Sequence, residues 1–153
     1  MIILAIDSGI EKTGYAIFKN KKYVTSALIK TSKSKTAEKR LKEIYENLKV
    51  VVKNHQPDKI VLERLFFFKN QKTAMLVSQA QGVCLLLASQ NNISVDFLTP
   101  LQIKQTITGY GQADKKSVQK MIKLEMGIDI KQDDEADAVA CGMAYSLIRP
   151  DSF

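Results

Sequence analysis

The 153-residue sequence predicts an α/β fold: a five-stranded mixed sheet flanked by helices, with residues 1-153 forming one domain. Three observations carry that expectation. Strand-like and helix-like segments follow in the order β-β-β-α-β-α-β-α-α-α, as in a sheet with helices on its faces. The first strand is a continuous aliphatic run, the pattern of a strand covered on both sides. No repeat, low-complexity tract or linker divides the chain.

Each element has its own signal. Ile2 to Ile6 is the aliphatic run. Tyr15 to Phe18 and Tyr23 to Ile29 read as the next two strands, joined by a tight turn at Asn20-Lys21. From Thr36 to His55, apolar residues such as Leu41, Ile44, Leu48 and Val52 recur at helical spacing, and Pro57 stops the run. Lys59 to Glu63 is a short strand, "KIVLE". "RLFFFKNQK" fits neither period, and Thr73 to Asn91 is a long helix. Ser94 to Leu98 is the fifth strand. Thr99 before Pro100 is an N-cap and first-turn proline that open another helix. Gly109 and Gly111 bracket Tyr110 in a turn. Lys115 to Met126 is a basic amphipathic helix, and Asp133 to Ile148 is the last one.

Composition narrows the function classes. Lysine and arginine number 23 against 16 acids, a net charge of +7, which suits a polyanionic partner such as nucleic acid. Cys84 and Cys141 sit in apolar helical surroundings and read as buried free thiols of a reducing compartment, so the expected location is cytoplasmic. The longest apolar runs fall well short of the ~20 residues that cross a bilayer. One histidine, His55, lies at a helix end and leaves no positioned base for a Ser-His-Asp or Cys-His system. Phosphate-loop, dinucleotide and paired-cysteine motifs are missing from the sequence.

The acids are more telling. Asp7 follows the first strand and Glu63 ends the fourth. If those strands are parallel neighbours, both carboxylates reach the sheet edge where open α/β sheets hold ligands. Asp134 and Asp137 are three residues apart and share a helix face. Singly, each has an ordinary use: Asp7 before Ser8-Gly9 as a turn residue, Glu63 as a surface charge, Asp133 and Asp134 as helix-start acids. Brought together, Asp7, Glu63, Asp134 and Asp137 would repel unless a cation neutralised them. Oxygen ligands without histidine suit Mg²⁺ or Mn²⁺, as in two-metal phosphoryl-transfer sites.

Four segments, "AIDSGIEKTGYAIF", "IVLERLFFFKNQKTAMLVSQAQGV", "LTPLQIKQTITGYGQADKKSVQKMI" and "DDEADAVACGMAY", taken in this order and spacing, resemble the RuvC-type Holliday-junction resolvases from Ile3 to about Ile148. The resemblance implies a ribonuclease-H-like fold and a Mg²⁺-dependent crossover junction endodeoxyribonuclease, with Mn²⁺ as a substitute and two ions per site. It implies paired symmetric cuts in a four-way DNA junction, giving 5′-phosphate and 3′-hydroxyl ends in recombination and repair. Residue by residue, it makes Asp7, Glu63, Asp134 and Asp137 metal-binding catalytic carboxylates, and places Lys104 and Lys115 near the scissile phosphate. Lys116 adjoins Lys115 as a further DNA contact. Phe66 matches an aromatic residue that stacks on opened bases; Phe67 and Phe68 extend it, and Lys69 and Asn70 flank the DNA backbone. The resemblance also implies a homodimer through the Thr73-Asn91 helix, with Ala74, Val77, Ala80, Val83, Cys84 and Leu87 as apolar surface and Ala80 and Gly82 allowing close approach. A branch-migration helicase complex is a further implied partner. The sequence departs from the family pattern at Ser8, where proline is usual, and at Arg64, Phe67 and Phe68, and it ends at Phe153 without the longer basic tail of some members. Three alternatives stand beside this reading: a nuclease of the same fold acting on structured RNA, a junction-binding protein without cleavage, and one lobe of a sugar-kinase or actin-like ATPase.

Overall fold

The computed structural model describes residues 1–64 and 71–148, with side chains described in 1–64 and 74–148. The elements follow the expected order: β1 (Ile2–Asp7), β2 (Lys12–Lys19), β3 (Lys22–Lys30), α1 (Ala37–His55), β4 (Lys59–Glu63), α2 (Gln71–Gln90), β5 (Ser94–Leu98), α3 (Pro100–Thr108), α4 (Lys115–Met126) and α5 (Asp133–Ile148). The strands are ordered β3-β2-β1-β4-β5 in one sheet. β1, β2 and β3 are antiparallel neighbours, while β1–β4 and β4–β5 are parallel.

Local chemistry sets the boundaries. Asn20 and Lys21 both take positive φ, 49° and 66°, the two-residue turn whose twist matches the flanking strands. This turn lets β2 and β3 pair over their full lengths, so both outrun the apolar cores from which the sequence placed them. Thr36 stands outside α1 as its N-cap position, and Gln56, left-handed at φ 47°, closes the helix before Pro57. Thr99 and Gln102 form a reciprocal capping box at the start of α3: the Thr99 hydroxyl accepts from Gln102 N, and the Gln102 side chain accepts from Thr99 N.

Alternation along the strands divides the core in two. Leu4, Ile6, Ile17, Ile60 and Leu62 point toward α1 and α2, where they meet Ile44, Leu48, Cys84 and Leu87. Ile3, Ala5, Ala16, Phe18 and Val61 point the other way, toward Ile103, Val118 and the buried length of α5. Both cysteines are free and buried, as expected, and burial pushes the Cys84 thiol up to about 12. Among the described residues, no helix is long and apolar enough to cross a membrane.

One expectation needs correction. Ala80, Cys84 and Leu87, which the sequence counted toward the apolar surface of a dimer helix, are fully buried, Cys84 and Leu87 in the core with the sheet and α1, while Ala74 is buried and Val83 partly so. The outward stripe of α2 is instead Met75, Gln79, Gly82 and Leu86, with Leu85 beside it. The helix is apolar on two faces, so the spacing of its apolar residues does not say which one meets the core.

Candidate active site

Period-two alternation aims two acids at the same place. Asp7 follows Ile3 and Ala5 on one face of β1, and Glu63 follows Val61 on the same face of β4. Ile6 pairs with Leu62 in the parallel register, so Asp7 and Glu63 are next in line at adjoining strand ends. Gln81 of α2 donates to the Glu63 carbonyl at 2.7 Å, fixing the backbone just where the strand ends.

The other two acids arrive with α5, which lies across β1 and β2 on this face. Gly14, paired with Asp7 across the antiparallel ladder, leaves the space that the start of α5 fills. A Cβ on Gly14 would stand 2.0 Å from the Asp134 carbonyl oxygen and 2.8 Å from Glu135 N. Farther along, a Cβ on Gly142 would meet the Phe18 ring at 2.4 Å. This close seating brings Asp134 and Asp137 toward Asp7. Thr13 and Thr31 tie down the β1–β2 loop from either side, donating to the carbonyls of Gly9 and Ile10.

The electrostatics are those of crowded anions. Asp7 is pushed up to about 8, by burial first and then by the charges of Asp137, Glu63 and Asp134. Glu63 and Asp137 are also raised, burial again leading, with Asp137 acting on Glu63 and with Asp133 and Asp134 acting on Asp137. Two lysines oppose this. Lys104 of α3 and Lys115 of α4 both favour the charged form of Glu63. They share a small hollow with Glu63, Ile103, Val118 and Asp137. Lys115 Nζ lies 3.0 Å from Asp137 Oδ2. Burial would lower the Lys115 ammonium, but its contacts with Asp137 and Asp133 outweigh that and raise it.

The six residues Asp7, Glu63, Asp134, Asp137, Lys104 and Lys115 lie in one region, near enough for their charges to act on one another. Lys116, one residue round α4, is exposed and acts on Asp114, the helix N-cap, rather than on the acid cluster. Phe66, Phe67, Phe68, Lys69 and Asn70 lie outside the described residues. Sequence reasoning missed Gly14, Gln81 and the part Asp133 plays beside Lys115. A glycine inside a strand is a signal of close backbone approach and could have marked Gly14.

The donor set fits a hard divalent cation. Burial first, and then their charges on one another, hold several carboxylates at raised proton affinity, and a cation would relieve that repulsion without needing a histidine or thiol ligand. Among the described residues, no three acidic side chains already converge at ligand distance, so an ion would have to draw them in and compete with Lys115 for Asp137.

The family described as crossover junction endodeoxyribonuclease RuvC matches residues 3–145. The chain belongs to that family. Relatives bearing the same description include those of Caldicellulosiruptor saccharolyticus, 44% identical with 96% of this chain and 93% of that protein covered, and Alkaliphilus metalliredigens, 45% identical with 95% and 93% covered. Thermus thermophilus RuvC in complex with a Holliday-junction substrate superposes with a TM-score of 0.89 at 26% identity, covering 97% of this chain and 94% of that one. Fowlpox virus resolvase, solved with junction DNA, shares the fold at 18% identity and a TM-score of 0.62. The ribonuclease-H-like fold expected from the sequence is thereby established, and the family's activity is that of a crossover junction endodeoxyribonuclease.

Proposed function

We propose that the protein resolves four-way DNA junctions as a homodimer, hydrolysing one phosphodiester in each of two symmetric strands to leave 5′-phosphate and 3′-hydroxyl ends. The observation that carries this reading is the gathering of Asp7, Glu63, Asp134 and Asp137 on one face of the β1–β4 edge, with Lys104 and Lys115 beside them. Its family membership, and a relative solved with a Holliday junction, support the substrate.

The four carboxylates would hold Mg²⁺, or Mn²⁺ in its place, two ions per site. Bound there, such ions would supply Lewis acidity to the scissile phosphate and to the attacking water. Lys104 and Lys115 then hold the phosphate against the acids and offset the charge that builds on its oxygens. Burial of Asp7 and Glu63 keeps bulk water from screening these interactions. Phe66 stacks on bases opened at the junction centre, Phe67 and Phe68 widen that surface, and Lys69, Asn70 and Lys116 meet the DNA backbone. The outward stripe of α2, Met75, Gly82 and Leu86 with Leu85, is the dimer face; two-fold symmetry of the enzyme matches the two cuts required. The site works in the cytoplasm, with a branch-migration helicase complex as the partner that delivers junctions.

Cleavage of a synthetic DNA junction in Mg²⁺ and in EDTA, beside a linear duplex and an RNA junction, tests this. Paired nicks are expected on the DNA junction alone. EDTA abolishes them, and Glu63→Gln reduces them by about a hundredfold or more. Tight junction binding without cleavage would make the protein a binding module, and cleavage confined to RNA would make it an RNA-processing nuclease; either sinks the proposal. Leu86→Lys is expected to sediment as a monomer and to lose paired cutting. A dimer that survives it places the interface elsewhere.

A further inference from the structure

Two helix faces oppose one another beside the acid cluster. On α4, Lys115 and Gln119 lie one turn apart; on α5, Asp133 and Asp137 do the same. Lys115 Nζ reaches both acids, at 3.0 Å from Asp137 Oδ2 and 3.6 Å from Asp133 Oδ2. The remaining Asp133 oxygen, Oδ1, faces Gln119 Nε2 in a long contact of 3.5 Å, while Oδ2 faces the lysine. One ammonium thus has two carboxylates within reach, and only one of them belongs to the cluster around Asp7.

A divalent ion held by Asp137 would repel the ammonium that lies 3.0 Å from the same carboxylate and would so weaken the closer of the two contacts. The Lys115 side chain is 50% exposed on a flexible four-carbon stem, and without another partner it would swing into solvent and away from the phosphate. We propose that Asp133 is a positioning residue: it is the second seat that keeps Lys115 over the active site when Asp137 is engaged by a metal ion. The inference rests on the reading of Asp137 as a metal ligand and Lys115 as a phosphate-holding group. It adds a residue outside the four carboxylates. Asp133 also favours the start of α5 through its charge, but that contribution does not depend on Lys115. Dependence on Lys115 therefore separates the two roles.

A double-mutant cycle with Asp133→Asn and Lys115→Gln tests the inference in full-length protein, read by junction cleavage at saturating Mg²⁺ and by NMR of ¹³C-labelled lysine in protein titrated with Mg²⁺ alone. Asp133→Asn is expected to lower kcat about fivefold with KM for the junction unchanged, and to have no effect in the Lys115→Gln background. In the spectrum, Mg²⁺ moves the Lys115 Cε resonance of wild type to a second ordered position, whereas in Asp133→Asn it moves to that of a solvated lysine. Equal effects of Asp133→Asn in both backgrounds, or a Lys115 resonance in Mg²⁺ that ignores the substitution, overturn the proposal. If Lys115→Gln cleaves at the wild-type rate, it is the underlying role of Lys115 that fails, and the spectrum distinguishes that result from a misassigned Asp133.

Discussion

Asp7→Asn is expected to abolish junction cleavage while making the metal-free protein more stable at pH 8. The folded protein holds the Asp7 carboxyl protonated up to about pH 8, against an ordinary value of 3.8. Between those values the native state binds more protons than the unfolded chain, so the stability drawn from this group is full below pH 4 and is lost as pH rises toward 8. Asparagine has the same shape and does not ionise, so it escapes the loss. Asp137, Glu63 and Asp134 share the repulsion, and some of it remains among them after the substitution. The gain attributable to Asp7 is then about 3 kcal/mol at pH 8, or about 8 °C in Tm for a chain of this size. It shrinks to nothing near pH 4. Mg²⁺ should narrow the gap by binding and stabilising the wild type. Thermal melts in EDTA at pH 4, 6 and 8, beside a cleavage assay, check all of this. A variant less stable than wild type at pH 8, or a gap indifferent to pH, would show that burial and the neighbouring acids do not raise the Asp7 carboxyl.

The same contrast explains what could be read from the sequence. The acids were legible because each closes a pattern that is local: Asp7 and Glu63 at the ends of short apolar strands, Asp134 and Asp137 three apart at the head of an apolar helix. The capped start at Thr99-Pro100 was legible for the same reason. Their convergence depended on β1 and β4 being parallel neighbours, a pairing between segments more than fifty residues apart that the strand patterns leave open. The Lys115 contacts with Asp133 and Asp137 are likewise set by how α4 meets α5 and leave no mark on either helix. On α2 the difficulty was of another kind. Its apolar residues occupy two faces, and only packing against α1 and the sheet decides that Cys84 and Leu87 face inward while Met75 and Leu86 face out.

Gly14 carries no charge and touches no substrate, yet Gly14→Ala is expected to be nearly as damaging to cleavage as loss of a carboxylate. The atoms a new Cβ would meet, at 2.0 to 2.8 Å, are all backbone: the Asp134 carbonyl and Glu135 N. No side-chain rotation relieves such a clash. Either β2 retreats from α5 or α5 shifts by about 1 Å to restore ordinary van der Waals separation. β2 is held in the sheet on both sides, by β1 and β3, and Gly14 pairs with Asp7 itself, so a retreat would move Asp7 directly. A shift of α5 would instead carry Asp134 and Asp137 away from Asp7 and Glu63 together. Misplacement on that scale costs about a hundredfold in rate. Overpacking a seated helix destabilises by about 3 kcal/mol, and the lost repulsion among the separated acids returns part of it. The rate should therefore fall much further than the stability, with the folded variant still binding junction DNA through its cationic surface. Single-turnover cleavage, junction binding in EDTA and a thermal melt on the same preparation decide the matter. Cleavage within about threefold of wild type would mean that the start of α5 adjusts without moving its acids, and that the close approach at Gly14 is not what sets the geometry of the site.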